Sequence, residues 1–293
     1  MSAIPTPDQS LVSELRALVA GTVIGPDDDG YHGARAVWNG RIDRFPAAIV
    51  HVTSTDDVAA TVRFARERDR PIAVRGGGHH VTGSAVIDDG IVIDLSALTD
   101  VDVDPETRTV RVGAGCRVSD VLSATGEYGL AVPTGSAAHT GVAGSTLAGG
   151  IGWARREHGL GIDRLRSVDV VTVDGEVLTA SADENEALFW AVRGAGARVG
   201  IVTSLTFEGF DLPPEVAFVQ VAYPAPDAET VVELFRQYRD YVADAPDEVT
   251  SMAVYASVPP LPLVPTEFHG APIVTSSSAW PARERRSRAP RRR

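Results

Sequence analysis

The chain has 293 residues, is 44% hydrophobic and 23% charged, and carries a formal net charge of −12, so it can bury a sizeable core and is not a disordered chain. Its acidity argues against binding a nucleic-acid backbone, which needs a basic face. Its one cysteine, Cys116, excludes an internal disulfide framework and a multi-cysteine metal site.

In chain order, the first helical periodicity is Gln9–Ala20, with Leu11, Leu15 and Leu18 on one side. Ala48–Val52 reads as a strand, and Thr53–Asp57 supplies N-cap residues for a helix from 56 to about 68. Short strands follow at Pro71–Val74, Ile91–Leu95 and Thr109–Val112, then a helix at Val118–Tyr128. Val168–Val173 and Glu176–Thr179 read as a hairpin across Asp174-Gly175. Asn185–Arg193 is a helix and Gly200–Glu208 a strand. Asp211-Leu212-Pro213-Pro214 marks a boundary. Beyond it come a strand at Val216–Tyr223, a helix at Asp227–Ala243, a strand at Thr250–Ala256 and the start of another at Ala271–Thr275.

No apolar run approaches the roughly 18–20 residues of a membrane span. The first residues, Met1–Asp8, lack the basic and apolar regions of a signal peptide. The expectation is a cytoplasmic protein without a membrane segment.

The glycines are clustered. Val74-Arg75-Gly76-Gly77-Gly78-His79-His80 puts three of them directly after a strand, where successive N–H groups can form an anion-binding nest. Arg75 suits a pyrophosphate there. The loop lacks the Rossmann G-x-G-x-x-G spacing, and a tight surface turn uses the same residues. A second cluster joins Pro133-Thr134-Gly135 to the run from His139 to Trp153, with five glycines in twelve residues from Gly141 to Gly152. Such a run persists where a ligand or another backbone approaches closely. The alternative is a flexible loop, against which Val142, Leu147, Ile151 and Trp153 argue. A third set is Gly194-Ala195-Gly196 and Gly200-Ile201-Val202.

Taken together, these stretches resemble the FAD-linked oxidases of the p-cresol methylhydroxylase and vanillyl-alcohol oxidase type, in the berberine bridge enzyme-like branch. The similarity runs in order through Arg75–His79, Gly83, Asp94-Leu95-Ser96, His139–Gly144, Thr146–Trp153, Gly159-Leu160, Ser181–Asn185, Leu188–Gly194 and Gly200–Ser204. It covers roughly residues 20–210, with Tyr31, Arg35, Trp38, Asn39 and Asp43 in its lead-in. The resemblance implies an α+β chain: an FAD-binding fold of two α/β subdomains, then a partial antiparallel-sheet substrate domain. The expected divisions are 1–20 lead-in, 21–210 FAD-binding domain, 211–275 incomplete substrate domain and 276–293 aberrant Arg-rich tail.

The same resemblance implies FAD joined covalently to His79, with cofactor contacts from Arg75, Gly76, Gly77, Gly78, His80, Gly83, Pro133, Thr134, Gly135, His139, Thr140, Gly141, Gly144, Ser145, Gly149, Gly150, Gly152, Trp153, Gly200, Ile201 and Val202. Noncovalent contact is the alternative for His79. Ile162 stands where doubly tethered members are expected to carry cysteine, and Cys116 reads as packing, so no cysteinyl link is expected. Arg164 and Arg198 also depart from the family pattern. The implied reaction takes a hydride from an alcohol, sugar or secondary metabolite to flavin N5, with oxygen or another acceptor receiving the electrons. The partner is then a small molecule. Tyr223, Tyr238, Tyr241 and Tyr255 match no base motif, so no catalytic base is assigned. Two other readings stand beside this one: an FAD-binding but inert remnant, and a non-flavin α/β protein with structural glycine loops.

The charge is unevenly spread. All 27 basic residues are arginine. Seven fall in the last eleven residues with one glutamate, giving that tail +6 and the remaining chain −18. A composition break near 276 suggests a shifted reading frame or truncation. The alternative is a tail for nucleic acid or an anionic surface, although it lacks interleaved aromatics.

Overall fold

The computed structural model describes residues 8–213, 215–262 and 264–281. The chain divides into two units, one running through Gly152 and resuming at Gly159–Asp211, the other taking Trp153–His158 and the chain from Leu212.

The first unit opens with α1 (Gln9–Leu18), whose cap is the Asp8 carboxylate accepting from the Leu11 amide at 3.1 Å. Its Leu11, Val12 and Leu15 are buried. β1 (Thr22–Ile24), the single turn α2 (Tyr31–Ala34) and β2 (Ala48–His51) follow. α3 (Thr55–Glu67) is capped by the Ser54 hydroxyl, which accepts from the Asp57 amide at 3.1 Å. β3 (Ile72–Arg75) and β4 (Ile91–Asp94) complete a four-stranded sheet of order β1-β2-β4-β3, in which β2, β4 and β3 are parallel. Ala48-Ile49-Val50 and Ile91-Val92-Ile93 are fully buried runs, as strands covered on both faces require.

The chain then makes β5 (Val101–Asp104), β6 (Thr109–Gly113), α4 (Val118–Gly126), β7 (Leu130–Ala131) and α5 (Val142–Leu147). The short α6 (Arg155–His158) belongs to the other unit. β8 (Leu165–Val171), β9 (Val177–Ser181), α7 (Glu186–Ala195), β10 (Ile201–Glu208) and β11 (Phe210–Asp211) finish the first unit. A five-stranded antiparallel sheet results, ordered β5-β6-β10-β8-β9, while β11 pairs with β7. Leu15, Val50, Val58, Ile93, Val112, Val170 and Leu205 fall in one apolar cluster, so both sheets share a core. The architecture is the expected α+β arrangement, with two sheet-based subdomains in the first unit.

The second unit has β12 (Val216–Pro224), α8 (Ala228–Asp244), β13 (Thr250–Ser257) and β14 (Pro272–Pro281). Its antiparallel sheet is ordered β12-β14-β13. This corrects one expectation: Ser276–Pro281 is not tail but half of the central strand. Ser277 and Ser278 are buried, and Ser278 Oγ donates to Ser251 Oγ at 3.0 Å, so small polar residues line this strand. Trp153–His158 also moves between divisions. Arg155 donates to Ser251 O at 2.9 Å, Arg156 donates to Val249 O at 2.9 Å and Ala245 O at 2.8 Å, and the Trp153 ring meets Phe218 edge-on at 5.6 Å. The Arg-rich run from Arg283 to Arg293, and Met1–Pro7, lie outside the described residues.

Candidate functional site

Three glycine segments converge in the first unit. The loop Gly76-Gly77-Gly78 leaves β3, and its chain is held by Leu95 N donating to Arg75 O at 2.8 Å and Trp38 N donating to Gly78 O at 3.1 Å. The N–H groups of Gly76, Gly77, Gly78 and His79 donate no hydrogen bond among the described residues. These four residues are partly exposed, so their N–H groups are open to a ligand or to solvent.

The loop before α5 is fastened to the start of α4. Val118 N donates to Thr140 O at 3.0 Å, Ser119 N to Ala138 O at 2.9 Å and Val142 N to Cys116 O at 2.9 Å. This brings Gly141 against Gly77, where a Cβ on Gly77 would stand 2.3 Å from Gly141 N. Only a bare backbone permits that approach. In the third segment Gly161 N donates to Gly150 O and Ile162 N to Gly149 O, both at 3.0 Å. A Cβ on Gly152 would stand 1.8 Å from Thr134 O, and one on Gly161 2.8 Å from Pro133 O. Gly144 and Gly149, by contrast, have nothing within 4 Å of an added Cβ. The run therefore mixes backbone-to-backbone contacts with open positions, and its middle is the helix α5.

His79 is half-buried where these loops meet. Its ring centroid lies 4.6 Å from that of His139 and 5.6 Å from that of Trp38. Burial lowers its pKa below the ordinary histidine value, and the charges of His139 and Arg117 lower it further. A neutral imidazole, the nucleophilic form, is favoured. His80 is exposed, with Nδ1 2.7 Å from Thr82 Oγ1.

Several expected contact residues have other occupations. Arg75 is buried, and its guanidinium donates to Asp94 Oδ2 from Nε at 3.1 Å and Nη2 at 2.6 Å, with Nη1 on Ala34 O and Ala36 O. His51 Nδ1 lies 3.1 Å from the same carboxylate oxygen. Burial opposes ionisation of Asp94, but the His51 hydrogen bond and the Arg75 charge outweigh it and hold the carboxyl far below its ordinary range. Arg75 thus ties the foot of the glycine loop to β4 rather than presenting a free charge. Gly83 and Gly200 make room for Ile42 and Val170 side chains, at 2.6 and 2.4 Å from an added Cβ. Ser145 Oγ donates to Gly141 O at 2.9 Å. Ile201 and Val202 are core residues of β10, and Trp153 belongs to the second unit. Gly135 is open, with only Val118 Cγ2 at 4.0 Å.

Cys116 is fully buried, and burial, with the Asp120 and Asp100 charges, pushes its thiol up to about 11. Arg164 pairs with Glu208 at 3.0 Å, and Arg198 is exposed. Tyr223, Tyr238 and Tyr241 line a cavity of about 390 Å³ between α8 and the sheet of the second unit. Sequence reasoning passed over Thr146 Oγ1, a buried hydroxyl, and the His51–Asp94–Arg75 cluster. The only signal for the latter was that Arg75 and Asp94 end strands that can lie side by side. Among the described residues, no three His, Cys, Asp or Glu side chains are grouped to hold a metal ion, and no helix is long and apolar enough to cross a membrane.

Residues 46–181 match the family model described as FAD binding domain. The chain is 34% identical over 257 residues to (R)-6-hydroxynicotine oxidase of Paenarthrobacter nicotinovorans, an alignment covering 88% of this chain and 54% of that protein. The solved structure of Physcomitrella patens BBE-like 1 superposes with a TM-score of 0.83 at 27% identity, covering 93% of this chain and 57% of that one. The glucooligosaccharide oxidase of Acremonium strictum, described with a 6-S-cysteinyl, 8α-N1-histidyl FAD, gives a TM-score of 0.81 at 26% identity, covering 93% and 55%. The chain spans about half the length of the curated relatives it matches.

Proposed function

Because the chain belongs to the FAD-linked oxidoreductases of the berberine bridge enzyme-like type, we propose that its first unit binds FAD over the converging glycine loops, with His79 as the covalent anchor. The observation that carries this is the row of unpaired N–H groups from Gly76 to His79, set against the Gly77–Gly141 contact. Successive free amides suit a pyrophosphate, and backbone without side chains suits a flat cofactor lying close. The residues therefore fit FAD.

The chain's own part is to bind, orient and attach. Gly76–His79 offers donors to phosphate oxygens. The Arg75–Asp94 pair fixes the loop from below. His79, its imidazole neutral, would hold the flavin at the 8α carbon; exchanging a C–H bond there for the C–N bond releases a proton and leaves two electrons on the flavin, which oxygen or another acceptor removes. His139 and Trp38 pack against its ring. Cys116, buried and with its thiol raised, offers no second link. Bound FAD would accept a hydride at N5 from an alcohol, sugar or secondary-metabolite substrate and pass the electrons to oxygen or another acceptor. No residue is assigned as base.

The test is the absorbance spectrum of the purified chain before and after acid precipitation. A yellow precipitate is expected from wild type and a colourless one from His79→Ala. Protein that stays colourless after FAD supplementation refutes the assignment. Oxygen consumption or dye reduction over a panel of alcohols and sugars then separates an oxidoreductase from a chain that binds FAD without turnover.

A further inference from the structure

Trp38 is 61% exposed, although tryptophan is ordinarily among the better-covered side chains. Its backbone is nevertheless fastened. Trp38 N donates to Gly78 O at 3.1 Å, Asn39 Nδ2 donates to Val81 O at 2.7 Å, and Ile42 N donates to Asn39 O at 2.9 Å. These bonds tie the segment from Trp38 to Ile42 to the chain on both sides of His79-His80. Gly78 takes φ 66° at the first tie, a conformation that favours glycine. Val81, at the second, is 65% exposed, so the apolar surface around this strap is open. The strap thus holds a large aromatic ring in place without covering it.

The indole lies beside the proposed anchor. Its centroid is 5.6 Å from that of His79, with the ring planes inclined by 30°, inside the range of offset stacking. His79 is itself partly exposed, so imidazole and indole form one accessible aromatic surface at the end of the glycine loop. An FAD joined to His79 has its dimethylbenzene ring one methyl carbon away from that imidazole. The uncovered indole is a flat apolar partner within reach of that ring, and a stacked ring would take its open face out of water.

We propose that the Trp38 indole stacks on the dimethylbenzene ring of bound FAD, a contact that rests on the flavin assignment above. The experiment uses the His79→Ala chain, in which binding is reversible, and titrates FAD by fluorescence anisotropy alongside thermal unfolding of the apo-protein. Adding Trp38→Ala should weaken FAD binding about tenfold, the worth of an aromatic pair together with its buried area. The apo-protein's Tm should barely move, because most of the ring is in water before FAD arrives. Trp38→Phe keeps a stacking face and should stay within about threefold of the parent affinity. Its bound flavin should also be brighter, because a stacked indole quenches excited flavin by electron transfer and a phenyl ring does not. Trp190→Ala, at another exposed tryptophan on α7, should bind as the parent does. If Trp38→Ala does not fold, Trp38→Leu takes its place with the same expected loss. Unchanged affinity in the alanine variant overturns the proposal, as does a phenylalanine variant that binds as weakly as alanine or whose bound flavin is no brighter than the parent's. A His79→Ala chain that binds no FAD overturns the flavin assignment together with this one.

Discussion

A Cβ on Gly77 would stand 2.3 Å from the amide nitrogen of Gly141, and a Cβ on Gly141 would stand 2.4 Å from that of Gly77. Each glycine excludes a side chain on the other, so the loop after β3 and the loop before α5 are locked backbone to backbone. Gly77→Ala and Gly141→Ala should each cost about 1–3 kcal/mol by overpacking, read by calorimetry as a fall of roughly 2–4 °C per kcal/mol for a unit of this size. Both should lose bound flavin. Gly126→Ala is the control: nothing lies within 4 Å of its added Cβ, so Tm should hold or rise slightly. An unchanged Tm in Gly77→Ala would contradict the contact.

The Arg75–Asp94 pair yields a prediction with a definite pH sense. Both side chains are buried, at 10% and 4% exposure. Asp94→Asn leaves the guanidinium without its counter-charge, which should cost about 3–5 kcal/mol. Because the folded carboxyl is held far below its ordinary value, the contribution is complete above the unfolded pKa and is lost as pH falls through the folded one. The Tm gap between wild type and Asp94→Asn should stay constant from neutral pH down to about 5 and close only in stronger acid. A gap that is equally wide under strongly acidic conditions would mean that charge is not its source.

Much of this was legible because local chemistry and tertiary role coincided. Ser54 caps α3 from within a run of polar residues, and Asp174-Gly175 turns β8 into β9 with Gly175 at φ 75°. Three glycines after β3 announced a loop that holds something. Other features need partners distant in sequence. Arg75 faces Asp94 only because β3 and β4 pair in parallel with those residues in register; from the chain alone its charge looked available for phosphate. Ser276–Pro281 looked like a composition break, yet serine packs in a central strand when its hydroxyl finds Ser251 across the sheet. α5 was hidden because Gly144 lies inside it and glycine is a poor helix former. Its buried Val142, Ala143, Thr146 and Leu147 overrode that propensity.

Cys116 should be chemically silent. With the thiol buried and raised to about 11, its thiolate is scarce near neutrality. Iodoacetamide at pH 8 should fail to label the folded chain and should label it fully in denaturant. Cys116→Ala should retain acid-stable flavin at wild-type yield, and loss of colour in that variant would show a cysteinyl link.

The lowered pKa of His79 sets the pH course of flavin attachment. Only the neutral ring is nucleophilic, so the rate at which apo-protein gains acid-stable flavin should rise with pH and level off. Burial and the charges of His139 and Arg117 all lower the pKa, so the midpoint should fall below about 6.5, the ordinary histidine value. Arg117→Ala and His139→Ala each remove one of these charges and should move the midpoint upward, whereas Arg198→Ala, at an exposed position outside the causes named for His79, should not. Attachment is followed by quenching samples in acid at intervals and reading flavin absorbance in the pellet. A midpoint above 6.5 in wild type, or one that Arg117→Ala leaves in place, would show that the environment of His79 does not control the reaction.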